Sequence, residues 1–203
     1  MEILFVRHGE TEANRTNLFY GRLDYGLTFT GREQAAKAGN LIRMMNFTPD
    51  RIVVSGLKRT HETLKAMGFS MDDAEIEPRL DERSLGVLEG LTFPEISVKY
   101  PDLFESWDND WLDFAPDGGE SQREFSGRVR DYLEELKASD NKPGKVLVAT
   151  HGGTMKTIIS IILGDVSYRF NQLEIYNCSI LRVRLTREGF KVDALYNVVD
   201  FDI

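Results

Sequence analysis

Three short stretches of this chain gather residue types suited to chemistry on a phosphate: Arg7-His8-Gly9, Ser55-Gly56-Leu57-Lys58-Arg59 and Thr150-His151-Gly152-Gly153. Each follows a short apolar run and carries an arginine or an imidazole. An imidazole can attack phosphorus and form a covalent intermediate that water later hydrolyses. Charge spread over phosphoryl oxygens calls for rigid guanidinium forks and backbone N–H groups aimed at them, a task that suits Arg7 and Arg59. Gly9, Gly152 and Gly153 leave room for substrate or backbone to come close. His151 would be a second imidazole, helping to neutralise the transferred group. A carboxylic acid is still needed to protonate the leaving oxygen and later to activate water. Residue chemistry leaves Asp81, Glu82, Glu89 and Glu120 all open for that role.

The elements that must position these groups can be read from apolar periodicity. Ile3–Val6, Arg51–Val54 and Val146–Ala149 are short branched runs that predict buried strands. Each gives way to a polar turn and then to a helical pattern, which predicts βα units sharing one parallel sheet, with ligands at its carboxyl end. Thr30-Gly31-Arg32-Glu33 has capping-box spacing, and Ala35, Ala38, Ile42 and Met45 recur at helical intervals behind it. Further helices are predicted from Thr60 to Met67 with Gly68 as stop, from the Ser121–Glu124 capping box through Leu136, and from Thr154 to Leu163 with Gly164 as stop. The stretch from Glu12 to Phe29 reads mostly as loop.

Residues 81–120 are less regular, with one helix near Pro94–Tyr100, and read as an insertion over one end of the sheet. Their aromatics Phe104, Trp107, Trp111 and Phe114 suit either a substrate cleft or packing of the insertion. After Lys142-Pro143-Gly144-Lys145 and the third strand, the tail holds two alternating strands, Ser179–Leu185 and Lys191–Val198, turning at Arg187-Glu188-Gly189. They pair within the sheet or at the edge of a homodimer. No linker interrupts the 203 residues, so 1–203 reads as a single α/β domain.

Composition excludes several classes of protein. Formal net charge is -8, which disfavours binding to nucleic acid through a basic surface, although a few convergent arginines can still hold a small phosphorylated molecule. The one cysteine, Cys178, rules out an intrachain disulfide and reads as buried packing. The N-terminal apolar run is too short for a secretory signal and no stretch reaches membrane-spanning length, so a reducing cytoplasm is expected. The three histidines show no HExxH or other close ligand pair, so neither a catalytic metal nor a cofactor is expected. His61 reads as structural or as a rim group.

Five separated landmarks also resemble a known family in the expected order. Arg7-His8-Gly9-Glu10-Thr11 is similar to the signature of the histidine phosphatase superfamily, which includes the cofactor-dependent phosphoglycerate mutases. Asn14, Gly21-Arg22-Leu23-Asp24 and Leu27 to Ala35 resemble the stretch after it. Ser55 to Thr60 with Thr63, Leu80-Asp81-Glu82-Arg83 with Gly86 and Glu89-Gly90, and Pro116 to Ser121 with Thr150-His151-Gly152-Gly153 resemble the remaining landmarks. The resemblance implies a three-layer α/β/α sandwich with a mostly parallel central sheet, of the phosphoglycerate mutase-like kind. It implies His8 as nucleophile, Arg7, Arg59 and His151 as the phosphate pocket, and Glu82 as proton donor. Asn14 is implied as a further phosphate contact, with Thr11, Gly21, Arg22 and Gly152 near the substrate.

Ala13, Tyr20 and Gly26 depart from the family's commonest residues, and Asp117-Gly118-Gly119-Glu120 is one residue longer than the compact form. These departures fall at the rim rather than on a catalytic group. Chain length resembles the compact phosphatase branch, with α-ribazole 5′-phosphate of cobalamin assembly as leading substrate. The alternatives are a cofactor-dependent phosphoglycerate mutase and a non-catalytic phospho-ligand or protein-binding module.

Overall fold

A computed structural model describes residues 1–139, 144–165 and 173–198. Lys142 and Pro143 of the expected turn, the Phe104 side chain and residues 199–203 lie outside the described residues. Four parallel strands, β1 (Glu2–Arg7), β3 (Arg51–Val54), β4 (Ala74–Ile76) and β6 (Lys145–Thr150), form most of one sheet. The tail supplies β7 (Ile180–Thr186), antiparallel to β1, and β8 (Gly189–Tyr196), antiparallel to β7, giving the order β4-β3-β6-β1-β7-β8. The expected tail hairpin thus pairs inside the sheet, with β8 at its edge. A separate ribbon joins β2 (Leu18–Phe19) to β5 (Leu91–Thr92).

Alternation along the central strands builds the three layers, because successive side chains point to opposite faces. Ile3, Phe5, Val146 and Val148 pack on one face against α6 (Gln122–Ala138) and α7 (Gly152–Leu163), meeting Phe125, Val129, Leu133 and Ile158. Leu4, Val6, Ile52 and Leu147 pack on the other against α2 (Phe29–Met44) and α3 (Lys58–Ala66), meeting Ala38, Ile42, Leu64 and Met67. Strands buried on both faces explain the unbroken apolar runs of the sequence. Each fully buried aliphatic side chain contributes about 1.5–3 kcal/mol of transfer free energy.

The register sets the site. Val54 lies opposite Ala149, and Arg7 opposite Thr150, so the turns at Ser55, His8 and His151 leave the sheet at one level. His151 is itself the N-cap of α7, which therefore begins at Gly152 rather than at Thr154.

Three local expectations need correction. The stretch read as loop holds a short helix, α1 (Glu12–Arg15), and the ribbon strand β2. Thr11 caps α1 through a capping box with Asn14, so the sequence signal lay in two polar residues rather than in apolar period. The N-cap of helix α2 is Thr28, not Thr30: the Thr28 hydroxyl accepts the Gly31 N–H at 3.0 Å and donates to the Glu10 carboxylate at 2.7 Å. That tie to the first active-site turn decides between two threonines of equal capping propensity. Helix α3 likewise begins two residues early, at Lys58. In the 81–120 segment, α4 (Phe93–Lys99) matches the expected helix, and α5 (Leu103–Asn109) is an addition to it. No helix of the described residues is long and apolar enough to cross a membrane.

Candidate active site

His8 leaves β1 almost fully buried, at 1% exposure. Its Nδ1 lies 2.8 Å from the Gly9 carbonyl oxygen, an atom that can only accept, so Nδ1 carries the proton. In the neutral ring the lone pair is then on Nε2. Burial, reinforced by the Arg59 and Arg7 charges, drives the His8 pKa well below the ordinary 6.5. A neutral imidazole with a free Nε2 lone pair is the form that can attack. Gly9 has no room for a side chain, because a Cβ would lie 2.3 Å from the Gly31 carbonyl oxygen.

His151 faces His8 with ring centroids 5.3 Å apart. Arg59 Nε donates to its Nδ1 at 3.1 Å, and its Nε2–H donates to the Ser55 hydroxyl at 2.7 Å. Burial first, then Arg59, His8 and Arg7, hold its pKa well below 6.5 as well. This ring is therefore neutral, and a cationic role for it requires the negative charge of a phosphoryl group beside it.

Arg59 is fully buried, and burial depresses its pKa. Besides His151 it reaches the carbonyls of Leu23 at 2.9 Å and Gly21 at 2.6 Å. Arg7 donates from NH1 to the Ile175 carbonyl at 2.6 Å, while its buried Nε has no hydrogen-bond partner. A Cβ on Gly152 would come within 3.2 Å of that Nε, so glycine keeps the approach to Arg7 open.

Among the four open carboxylates, position separates the candidates. Glu82 lines the same cavity as His8 and accepts the N–H groups of Arg83 at 3.0 Å and Gly153 at 2.9 Å. A Cβ on Gly153 would stand 2.3 Å from Glu82 Oε1 and push that carboxylate aside. Asp81 is turned to the Gly56 N–H at 2.7 Å, and burial raises its pKa. Glu89 holds the N–H groups of Arg22, Leu23 and Leu85. Glu120 pairs with Arg128 at 2.6 Å; burial alone would raise its pKa, but Arg128 holds it below the ordinary carboxylate range. Arg128 also donates to the carbonyls of Arg79, Asp81 and Glu82, fixing the backbone that carries Glu82.

The cavity has a volume of about 660 Å³. Arg7, His8, Asn14, Gly21, Glu82 and Gly152 line it, with Gly153 beside them. Arg59 and His151 lie buried beneath this surface. Arg22 is exposed and lies outside the lining, engaged through its backbone by Glu89. His61 is a structural contact in which Nε2–H meets the Ser55 carbonyl at 2.8 Å. Cys178 is buried beside the site, with its thiol pushed up to about 12 by burial.

The outer wall comes from the ribbon and the 81–120 segment: Leu18, Phe19, Arg83, Leu85, Phe93 and Trp111. The aromatic group divides between its two expected uses. Trp107 stacks on Trp111 and Phe114, with Arg83 lying over Trp107 at 5.1 Å, whereas Trp111 also lines the cavity. Tyr20, Asn177 and Arg128 are contributors that the sequence did not single out for the site, and Ser55 stood in it only as part of the second arginine stretch. Tyr20 stood out there only as a departure from a common residue. Asn177 had no local signal, since only the β1–β7 pairing brings its side chain to the His8 carbonyl at 3.0 Å. Among the described residues no three His, Cys, Asp or Glu side chains gather as a metal site would require.

Comparison with known proteins agrees with this arrangement. The family profile "Histidine phosphatase superfamily (branch 1)" matches residues 3–198. The chain is 32% identical over 168 residues to the 2,3-bisphosphoglycerate-dependent phosphoglycerate mutase of Bartonella henselae, covering 80% of this chain and 81% of that protein. The structure of a mycobacterial glucosyl-3-phosphoglycerate phosphatase superposes with a TM-score of 0.78 at 27% identity, over 95% of this chain and 96% of that one. The fold of the alpha-ribazole phosphatase from Shigella flexneri matches with a TM-score of 0.87 at 23% identity, over 98% and 97% of the two chains. With a paired His8 and His151, a buried Arg59 and a profile match running almost end to end, the chain belongs to the histidine phosphatase superfamily (branch 1) and is a phosphomonoester hydrolase of that family.

Proposed function

We propose that His8 Nε2 is the nucleophile of this phosphatase and Glu82 its acid and base. The observation that carries this reading is the 2.8 Å contact between His8 Nδ1 and the Gly9 carbonyl, which commits the lone pair to Nε2 inside the cavity that Glu82 also lines. As Nε2 bonds to phosphorus, the bond from phosphorus to the ester oxygen breaks, and Glu82 gives that oxygen its proton. Arg7, Arg59, Asn14 and the N-terminal N–H groups of α7 meet the phosphoryl oxygens. Water then attacks the phosphohistidine, returning its proton to Glu82 and releasing phosphate. Burial keeps His8 neutral well into the acid range, so activity extends below pH 6.5.

The proposed substrate is a small phosphorylated metabolite, with α-ribazole 5′-phosphate first. Support for it comes from the fold likeness above and a cavity whose outer wall includes Phe19, Phe93 and Trp111. A mutase reading is favoured by the name of the Bartonella relative. We read residues 1–203 as one catalytic unit with 81–120 as its cover, since Arg83, Leu85, Phe93 and Trp111 all reach the cavity. A reducing cytoplasm suits a chain with a single, buried thiol.

The test is a panel of α-ribazole 5′-phosphate, p-nitrophenyl phosphate, sugar phosphates and 3-phosphoglycerate primed with its 2,3-bisphosphate, assayed for released phosphate, isomerised product and acid-labile phosphate on His8. Release through a labelled His8 supports the proposal. Isomerisation without net release moves the enzyme to the mutase reading, and bound phosphate with no label on His8 removes the nucleophile assignment.

A further inference from the structure

The phenol of Tyr20 sits on the reacting atom. Its oxygen lies 3.3 Å from His8 Nε2 and 2.8 Å from Asn14 Nδ2. The direction of these bonds can be worked out. Asn14 Oδ1 accepts from the Thr11 N–H at 3.1 Å and from Asn177 Nδ2 at 3.2 Å, which fixes the amide so that Nδ2 must donate to Tyr20. The phenol proton is then free for Nε2, whose lone pair is available because Nδ1–H is bound to Gly9.

The same loop also holds the buried arginine. The Arg59 guanidinium carbon lies 4.8 Å from the centre of the Tyr20 ring, and the carbonyls of Gly21 and Leu23 take its two terminal nitrogens. Residues 20–23 therefore engage His8, Asn14 and Arg59 together, three of the groups assigned above to phosphate. From the outside, the Glu89 carboxylate ties the loop down through the N–H groups of Arg22 at 3.0 Å and Leu23 at 2.9 Å. Gly21 has φ +29°, and a Cβ there would lie 2.6 Å from the Arg83 carbonyl oxygen, so the close fit needs glycine.

In-line attack requires phosphorus about 3–3.5 Å from Nε2. The Tyr20 oxygen, at 3.3 Å, lies in that space. Both cannot be there, and one withdrawal of the loop releases the lone pair, Asn14 and the ends of Arg59 at once. Building on the reading of His8 as nucleophile, we propose that Tyr20 is an internal stand-in for the phosphoryl group, competing with substrate for His8 Nε2, Asn14 and Arg59. The residue shields the nucleophile until a phosphate displaces it. Its hydroxyl accordingly raises the concentration of substrate needed for binding without taking part in the bond changes.

Full-length wild type and Tyr20→Phe test this directly. The substitution removes the hydroxyl and keeps the ring over Arg59. Two readouts do not depend on turnover: the rate at which diethyl pyrocarbonate modifies His8, followed by peptide mass, and the affinity for inorganic phosphate by calorimetry. Loss of one competing hydrogen bond predicts roughly three- to tenfold faster modification and a comparable gain in phosphate affinity. With substrate, KM falls and kcat stays within about twofold, a split that a merely structural role would not produce. Weaker phosphate binding would make the hydroxyl a substrate contact and overturn the proposal, as would unchanged modification and affinity. Glu89→Gln loosens the latch from outside and should move both readouts in the same direction, which keeps the test open if Y20F folds poorly. Because labelling and binding are read without catalysis, a chain that shows them but hydrolyses nothing in the panel would fail as a phosphatase, not as a case of internal competition.

Discussion

The floor and the cover of the cavity are built by different means. The floor stands on the ends of β1, β3 and β6, held at one level by ladder register, and its Arg59 and His151 are wholly buried. The cover, as we read it, comes from β2, the 20–23 loop and the 81–120 segment, fastened by a two-residue ribbon and by single carboxylates such as Glu89. A floor fixed by the sheet can hold reacting atoms within tenths of an ångström, as phosphoryl transfer demands. A cover fixed by a few polar bonds can be exchanged without unfolding the core. On the proposed mechanism the chemistry belongs to the sheet, and the choice of substrate to the loops.

The sharpest way to break this division is at the nucleophile. His8→Asn removes the attacking atom from the floor and should lower kcat by about 10⁴-fold or more while phosphate still binds. Rapid-quench trapping should find no phosphohistidine in that protein. Glu82→Gln should come next, with a loss of about 10²–10⁴ in kcat for substrates with poor leaving groups. Its phosphate affinity, measured by calorimetry, should change little, since the proposed mechanism sets Glu82 against the leaving oxygen rather than the transferred group.

Changes in the cover should act differently. Trp111→Ala should alter KM for bulky substrates by roughly three- to tenfold and leave kcat for p-nitrophenyl phosphate nearly untouched. A large fall in kcat on the small substrate would erase the distinction between floor and cover.

The smallest effect concerns stability. His8 and His151 are held below 6.5 in the folded chain, chiefly by burial. The unfolded chain takes up those protons from about pH 6.5 downward and the folded chain does not, so stability falls as pH drops through that window. Urea midpoints should decline between about pH 7 and pH 5, with each histidine contributing up to about 1.4 kcal/mol per pH unit. His8→Asn should flatten that slope, and Trp111→Ala should leave it unchanged.

Legibility in the sequence followed the same division. Ile3–Val6 and Val146–Ala149 were readable as strands because both of their faces are buried, so their apolar runs are unbroken. The turns after them showed their chemistry because His8, Arg59 and His151 have few structural reasons to follow such strands. Two-residue strands such as Leu18–Phe19 and Leu91–Thr92 are too short to carry a period, and their pairing is decided by the fold. The contact between Tyr20 and His8 depends on Asn14 and Asn177, the latter 169 positions from His8, and no local pattern encodes such a reach. Residue types narrowed the acid to four carboxylates and the resemblance pointed to Glu82. The structure adds that the other three are tied to Gly56, to Leu23 and its neighbours, and to Arg128.

Strand β1, which delivers His8, is the first element of the chain, yet its two neighbours in the sheet begin at Lys145 and Ile180. On the ribosome it emerges well ahead of both neighbours and must wait until at least Lys145–Thr150 has been made before either side of it can be paired. Such distant pairings slow folding, because a long loop must close before any ladder bond rewards it. An apolar strand left waiting is also a place where chains stick to one another. His8 can acquire its buried surroundings only after the β6 stretch has been made, so a chain stopped short of Lys145 would carry an ordinary imidazole in place of the proposed nucleophile.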